Sequence, residues 1–549
     1  MKVHQALADA FAAEGVTAVF TMMGDANMHW LADLHQAPGV SVYEVRHEGA
    51  GLSMADGWAR ASGGVGVCAV TCGPGLTQLA TALLVAGRAR TPLVVFAGDV
   101  PAGEESHLQY FDQHRFAEAT EAGFVQVTSP ESAQEALRTA FFRARLESRP
   151  ILLDVPMDLQ QLEYEQFGAY QPSSSRLPVQ RLRPDKEQLR QAAELIRGSR
   201  KPVVLVGRGA LLSGAVQEVR RLAERIGALM ATTLLAKGTL AEDPYHAGIA
   251  GLFTTRTVIQ LFAETDCVIA VGASLNNYTI ENGYIFPSAK YVHIDTSRAV
   301  VMGSGQVADC YVQADAKAAL EELLAALGEA GAPPTGFRTA EIREQLAHAL
   351  EDPAEFEIEP GTMDPRQVAA ALDRRLPYDV GLVIGGGHFF CFPAMGVVRP
   401  RRLVLTNPQF GAIGQGLPTA IGAAISAGGP LVLVEGDAST MMHIQELDTA
   451  VRYQLPLLVV VMNDQALGAE YHKLRASDLP PELAAINSPN IGSVAAAMGC
   501  RGSLATNIAD LEAGLEEFLA QPRPTVIDAR LSRSVVSIPY RRLHFGIDA

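Results

Sequence analysis

One stretch of this 549-residue chain limits the rest more than any other: residues 430–473, PLVLVEGDASTMMHIQELDTAVRYQLPLLVVVMNDQALGAEYHK. Residues 431–434 are a short apolar run that ends in Glu435-Gly436-Asp437. Residues 442–453 carry helical spacing, and residues 457–462 are a second run, rich in β-branched side chains, that ends in Asn463-Asp464. A strand, a helix and a strand of these lengths predict a right-handed βαβ unit with parallel strands. Asp437 and Asn463-Asp464 then share the carboxyl-terminal edge of one sheet, where open α/β sheets bind ligands. Hard oxygen ligands on neighbouring strand ends suit Mg²⁺, which takes few protein groups and completes its octahedron with phosphate oxygens and water. The unit reads as a metal–diphosphate clamp; a plain buried βαβ unit with an acidic rim is the competing reading.

The remainder of the chain repeats the same alternation. In residues 1–165 the strand candidates are 18–20, 42–45, 65–71, 93–97 and 151–153, with helical stretches such as 51–60 and 76–88 between them. This pattern predicts a parallel sheet covered on both faces. Residues 167–186, rich in Pro, Ser and Arg and without periodicity, are expected to cross the surface as a linker. A second α/β block is expected over 187–330, with strands at 202–206, 267–271 and 291–294 and a helix at 215–226. Its Gly207-Arg208-Gly209 does not have the dinucleotide-fingerprint spacing, so a structural turn is the expectation there. A second connector, 331–361, leads to a third block, 362–535, which holds the clamp. The predicted class is α/β, three doubly wound parallel-sheet domains with a Rossmann-like domain in the middle.

Bulk properties exclude several functions. A formal net charge of −16 argues against nucleic acid as a partner. No apolar run reaches bilayer length, so no membrane association is expected, and the first helix carries Asp9 and Glu14, unlike a signal peptide. The six cysteines are scattered and form neither a Cys-x-x-Cys pair nor a Cys/His cluster. Reduced thiols in a cytoplasmic enzyme are the plainest account.

Gly436-Asp437-Ala438-Ser439, followed by Asn463-Asp464, resembles the diphosphate-binding signature of thiamine diphosphate (ThDP) enzymes. The branch is that of acetolactate synthases and of pyruvate and benzoylformate decarboxylases. Ala438 stands where that family usually has a second Gly, and Asp464 where it usually has a second Asn. The resemblance implies pyrimidine-binding, central and diphosphate-binding domains in that order, with ThDP and Mg²⁺ as cofactors; FAD in the central domain is not favoured. It implies Asp437, Asp464 and the Ala466 carbonyl as metal ligands. Gly73-Pro74 resembles the Gly-Pro-Gly turn beside the cofactor. Gly387-His388 resembles the loop before the diphosphate, although His388 has a satisfied loop histidine as its alternative. Gly411 and Ile413 resemble the segment that bends the cofactor, Ile413 being the wedge or else an ordinary core residue. Gly436, Ala438, Ser439, Asn463, Leu467 and Gly468 complete the implied cofactor contacts.

The resemblance also assigns chemistry. Glu48, in an Arg-His-Glu context at a predicted helix start, looks like the family's activating glutamate; helix capping is its alternative. Gly24-Asp25-Ala26-Asn27 resembles a decarboxylase turn whose Asp donates a proton, and Glu470 falls where decarboxylases place a second carboxylate. For these two the alternatives are a turn-forming Asp and a solvated helix charge. Gln113 looks like the synthases' glutamine, with His114 beside it. The implied activity is decarboxylation of a 2-oxo acid, with protonation of the resulting enamine or its ligation to an aldehyde or ketone acceptor. Acetolactate synthesis and a flavin-linked oxidoreductase are the alternatives. In relatives Glu48 and the clamp come from different subunits, so a homodimer or homotetramer with interfacial active sites is implied.

Overall fold

The computed structural model describes residues 1–177, 181–298, 301–328, 336–349 and 351–546. Their strands form three six-stranded sheets in which the paired strands are parallel, so the α/β expectation holds. The first sheet contains β1 (Ala18–Thr21), β2 (Ser41–Glu44), β3 (Gly66–Val70), β4 (Leu93–Asp99), β5 (Gly123–Gln126) and β6 (Pro150–Pro156). The central sheet contains β7 (Pro202–Val206), β8 (Leu229–Thr232), β9 (His246–Ile249), β10 (Cys267–Val271), β11 (Lys290–Asp295) and β12 (Cys310–Gln313). The third contains β13 (Gly381–Ile384), β14 (Val404–Thr406), β15 (Leu431–Gly436), β16 (Leu457–Asn463), β17 (Arg501–Ala505) and β18 (Thr525–Arg530).

Counted from each domain's own start, the first sheet (β2-β1-β3-β4-β6-β5) and the third (β14-β13-β15-β16-β18-β17) have one and the same order. The central sheet runs β9-β8-β7-β10-β11-β12, the order of dinucleotide-binding folds. Strand direction of travel across the sheet reverses at β1/β3, at β7/β10 and at β13/β15, and ligands of open α/β sheets settle in the crevice beyond such points. Most strands are buried apolar runs because helices cover both faces; all seven residues of β16, LLVVVMN, are buried.

The first and third domains share one core, which runs from Phe20 and Leu52 to Leu417 and Val459. Its centre is a crossing of two helices, Glu48–Ser62 and Gly416–Ala427, each following the second strand of its domain. Glycine makes the approach feasible: a Cβ on Gly57 would collide with the Thr419 carbonyl, and one on Gly422 with the Met54 carbonyl.

Three expectations are corrected. The single helix expected over 442–453 is two short ones, Asp437–Met442 and Glu446–Arg452. The break is held from outside the segment, because the Glu446 carboxylate accepts the Arg46 N–H at 3.0 Å and the His443 ring lies 5.4 Å from that of His47. The 331–361 connector contains a helix, Ala340–His348, capped by Thr339 and packed through Leu346; its residues 331–335 and 350 lie outside the described residues. The 167–186 linker, of which 178–180 lie outside the described residues, is anchored by buried Ser173, whose amide and hydroxyl both donate to Glu14. In the central domain, Gly207 N–H donates to Val271 O and Gly209 N–H to Gly272 O, both at 2.9 Å. That glycine pair is therefore a packing turn whose two amides are already spent.

Candidate active site

The third domain's carboxyl-terminal edge gathers the clamp residues. Gly436 ends β15, and Asp437 opens the next helix with its side chain buried. Asp437 Oδ2 accepts a 2.5 Å bond from Ser488, and burial still raises its pKa. Asp464, just past the end of β16, is half-buried by area but enclosed by protein on most sides. That enclosure first, and the charge of Asp437 second, push its pKa up to about 7. Among the described residues neither carboxylate forms an ion pair, and the more distant Arg533 charge only partly offsets the rise at Asp464. Two neighbouring buried acids without a cation are costly as they stand, and a divalent ion removes the cost. No cluster of three His, Cys, Asp or Glu side chains occurs among the described residues, so the donor set is two carboxylates plus backbone. That is the sparse set Mg²⁺ accepts when phosphate and water supply the other positions.

The surrounding loop is tight. Gln465 takes a positive φ of 58°, and Ala466 N–H turns back onto Asp464 Oδ1 at 3.1 Å. Leu467 N–H bonds to Ala484 O, and Gly468 packs against Asp464 and His388. Gly387 (φ 143°) and Gly436 both lie against the Phe389 ring. His388 is buried and neutral, its pKa lowered by burial and by His472; its Nε2 accepts the Ser537 N–H at 3.2 Å, which leaves the proton on Nδ1. Asn463 is turned to Asp528, to which its amide donates at 2.9 Å. Ser439 Oγ accepts Gly414 N–H at 2.6 Å, which ties the clamp to the segment holding Gly411 and Ile413. Ile413 is half-exposed rather than sealed in the core, and Ala438 is half-buried.

The first domain gathers a second group at its own edge. Glu48 begins its helix, is half-buried, and its carboxylate accepts no hydrogen bond from the described residues. Its Oε1 is 3.8 Å from where a Cβ on Gly75 would sit, so it faces the Gly73-Pro74-Gly75 turn, in which Gly73 has φ 61°. The Gly24–Asn27 turn packs on Thr71 beside it, closed by Gly24 N–H to Asn27 Oδ1 at 2.8 Å, with Asp25 exposed.

Three sequence-predicted residues lie apart from these groups. Gln113 is buried and donates to Gly98 O and Asp99. His114 is exposed on the outer face of its helix, near Glu118. Glu470 is exposed and paired with Lys473 at 3.2 Å. Sequence reasoning missed Ser488, Asp528 and Ser537, whose partners are 51, 65 and 149 residues distant. It also gave no role to Glu435, which is fully buried at the end of β15 with one oxygen unpartnered and its pKa pushed by burial to about 8.

Comparison with known proteins decides the family. Residues 1–121 match the thiamine pyrophosphate enzyme N-terminal binding domain, 189–323 the central domain, and 385–529 the C-terminal binding domain. The tobacco protein "Acetolactate synthase 2, chloroplastic" is 30% identical over 95% of this chain and 81% of its own length. The chain is a thiamine diphosphate enzyme of the acetolactate synthase family. The "Probable acetolactate synthase large subunit" of Methanocaldococcus jannaschii is 29% identical over 96% of the chain and 91% of its own length. The "Acetolactate synthase isozyme 3 large subunit" of Escherichia coli is 28% identical over 93% and 91%. For a ThDP enzyme, the uncompensated carboxylates beside glycine-lined backbone fit the metal–diphosphate end of the cofactor, and the unpaired Glu48 carboxylate fits the pyrimidine end. Among the described residues no helix is long and apolar enough to cross a membrane.

Proposed function

We propose that the protein joins two 2-oxo acid molecules with loss of CO₂, the acetolactate synthase reaction. The observation that carries this reading is the match to proteins named for that activity over nearly the whole chain. Domains 1–165, 187–330 and 362–535 are the units we assign to it. Asp437, Asp464 and the Ala466 carbonyl hold Mg²⁺. Backbone at Gly387, Gly436, Ala438, Leu467 and Gly468 meets the diphosphate, with His388 Nδ1–H as a donor. Ser439 and Asn463 act behind them, because their hydrogen bonds join loop to loop and strand to strand. Ile413, with Gly411, sets the cofactor's bend. When bound, the cofactor supplies a carbon nucleophile and a sink for the electrons released with CO₂. Glu48 holds the proton at the pyrimidine ring nitrogen, and its unpaired carboxylate supports that role.

A second copy of the chain is proposed to bring its Glu48 to this clamp. The exposed Asp25, His114 and Glu470, and the buried Gln113, are the groups we assign to substrate handling once that copy is in place. A decarboxylase–carboligase outcome is the second reading, favoured by the Asp25 turn.

Turnover of a 2-oxo acid panel with ThDP and Mg²⁺ tests the proposal. Acetolactate from pyruvate is expected; acetaldehyde or acetoin alone would move the assignment to the second reading, and a flavin absorption band with redox turnover to an oxidoreductase. Glu48→Gln is expected to cut turnover about 1000-fold with an unchanged melting curve. Near-normal turnover would remove its assigned role.

A further inference from the structure

We propose that a cavity of about 270 Å³ between the central and third domains binds a small aliphatic carboxylate, with Lys237 and Arg343 as the cations that recognise it. No clamp residue lines the cavity, and the proposal does not depend on the thiamine reading.

Lys237 follows β8 and is half-buried on the cavity wall. Its ammonium donates to the Val397 carbonyl, which accounts for one of three N–H groups. Among the described residues it forms no ion pair, and burial lowers its pKa to about 8; the charges of Asp373 and Arg401 act on it in opposite directions. The one carboxylate on the cavity wall, Asp243, is engaged elsewhere, with Arg338 at 3.4 Å and Arg220 at 3.6 Å. Arg343 is exposed and also lines the cavity, and its guanidinium has no hydrogen bond or ion pair among the described residues. The enclosed Lys237 ammonium, without an ion-pair partner among the described residues, marks a place for an anion, since a poorly solvated unpaired charge is expensive to keep, and the exposed Arg343 adds a second positive charge at the same cavity.

Neutral polar groups stand beside Lys237. His246 is held uncharged by burial and then by the Lys237 charge, with a pKa of about 4, and its Nε2 is buried without a partner among the described residues. The Thr232 hydroxyl is also buried without one. Both residues line the cavity. Apolar Ile249, Phe253, Leu346 and Met395 also line the cavity. One desolvated ammonium matches one carboxylate better than a doubly charged phosphate. The volume is just below the range of drug-sized sites, which sets the ligand at a few carbons.

Calorimetric titration of isovalerate into the full-length protein, with and without saturating ThDP and Mg²⁺, tests this. The expected result is saturable binding, one per chain, in both conditions. Isovaleramide, the same shape without the charge, should bind at least 10-fold more weakly. Lys237→Met should weaken isovalerate at least 10-fold and Arg343→Gln about threefold. Absence of saturable binding, equal affinity for the amide, or unchanged affinity in both variants would overturn the proposal. Should Lys237→Met not fold, Arg343→Gln, an exposed substitution, decides between the same outcomes. Because titration without ThDP reads the cavity alone, failure of the thiamine assignment leaves this result interpretable.

Discussion

The first and third domains are built on one strand order, yet each buries a pair of carboxylates at its sheet edge that is neutralised in a different way. In the first domain the pair is Asp99, at the end of β4, and Asp154, in the neighbouring β6. Gln113 donates to Asp99 at 2.8 Å and Gln126 to Asp154 at 3.0 Å. Burial first, and the Asp99 charge second, raise the Asp154 pKa to about 8, so the pair keeps a proton at neutral pH. In the third domain the pair is Asp437 and Asp464, with a serine hydroxyl and one loop amide but no side-chain amide donor. The first pair is closed by the chain itself, while the second is left short of positive charge. The two pairs use different strands of one topology, the fourth and sixth in the first domain and the third and fourth in the third, and the donors placed around them determine whether the result is a structural tie or a metal site.

The largest expected difference between the two pairs is in cofactor retention. Asp437→Ala should weaken Mg²⁺-dependent ThDP binding by on the order of 100-fold, since loss of even a supporting residue around a metal costs up to that much. Asp154→Asn should leave it within about twofold. Calorimetry with ThDP at fixed Mg²⁺ measures both, and equal losses would erase the contrast between a metal pair and a proton-sharing pair.

Much of this architecture was legible because parallel α/β folds write strands as unbroken apolar runs and place ligand groups directly after them. β15, β16 and the positions of Asp437 and Asp464 follow from residues 430–473 alone, and Glu48 from its helix start. Short or exposed strands left weaker marks: β5 is only four residues long, and four of the five residues of β17 are exposed or half-buried. The partners of Asp437 and His388 left no local trace, because Ser488 and Ser537 reach them only after the third sheet has formed. Gln113 illustrates a different case: it resembles the synthases' glutamine in sequence, and its hydrogen bond to Asp99, 14 residues away, has no mark in that resemblance.

The shared proton gives the first pair a pH signature. Asp154 is ionised in the unfolded chain above about pH 4 but holds its proton in the native state up to about 8. The native state therefore binds more protons across that window, and stability falls as pH rises through it. The pair contributes no penalty below the unfolded pKa and the full penalty above the folded one. Asp154→Asn should remove up to about 1.4 kcal/mol per pH unit from that slope between pH 5 and 8. Urea midpoints at several pH values read it directly, and parallel slopes for the two proteins would mean that the pair holds no extra proton.

The smallest effect separates two adjacent residues. Gln113→Ala removes an amide that donates to Asp99 and Gly98 O, leaving buried acceptors unmet at a cost of about 1–2 kcal/mol. His114→Ala, exposed on the same helix, should stay within about 0.5 kcal/mol. The pair also tests how far the first domain's closed cluster reaches into catalysis. If Gln113 acts only by holding Asp99, Gln113→Ala lowers stability while KM for the 2-oxo acid stays within about twofold, and Gln113→Glu, which cannot donate an amide proton, behaves alike. A rise in KM at unchanged stability would instead put the glutamine in contact with substrate, and the two sheet edges would then share one reaction rather than divide the work.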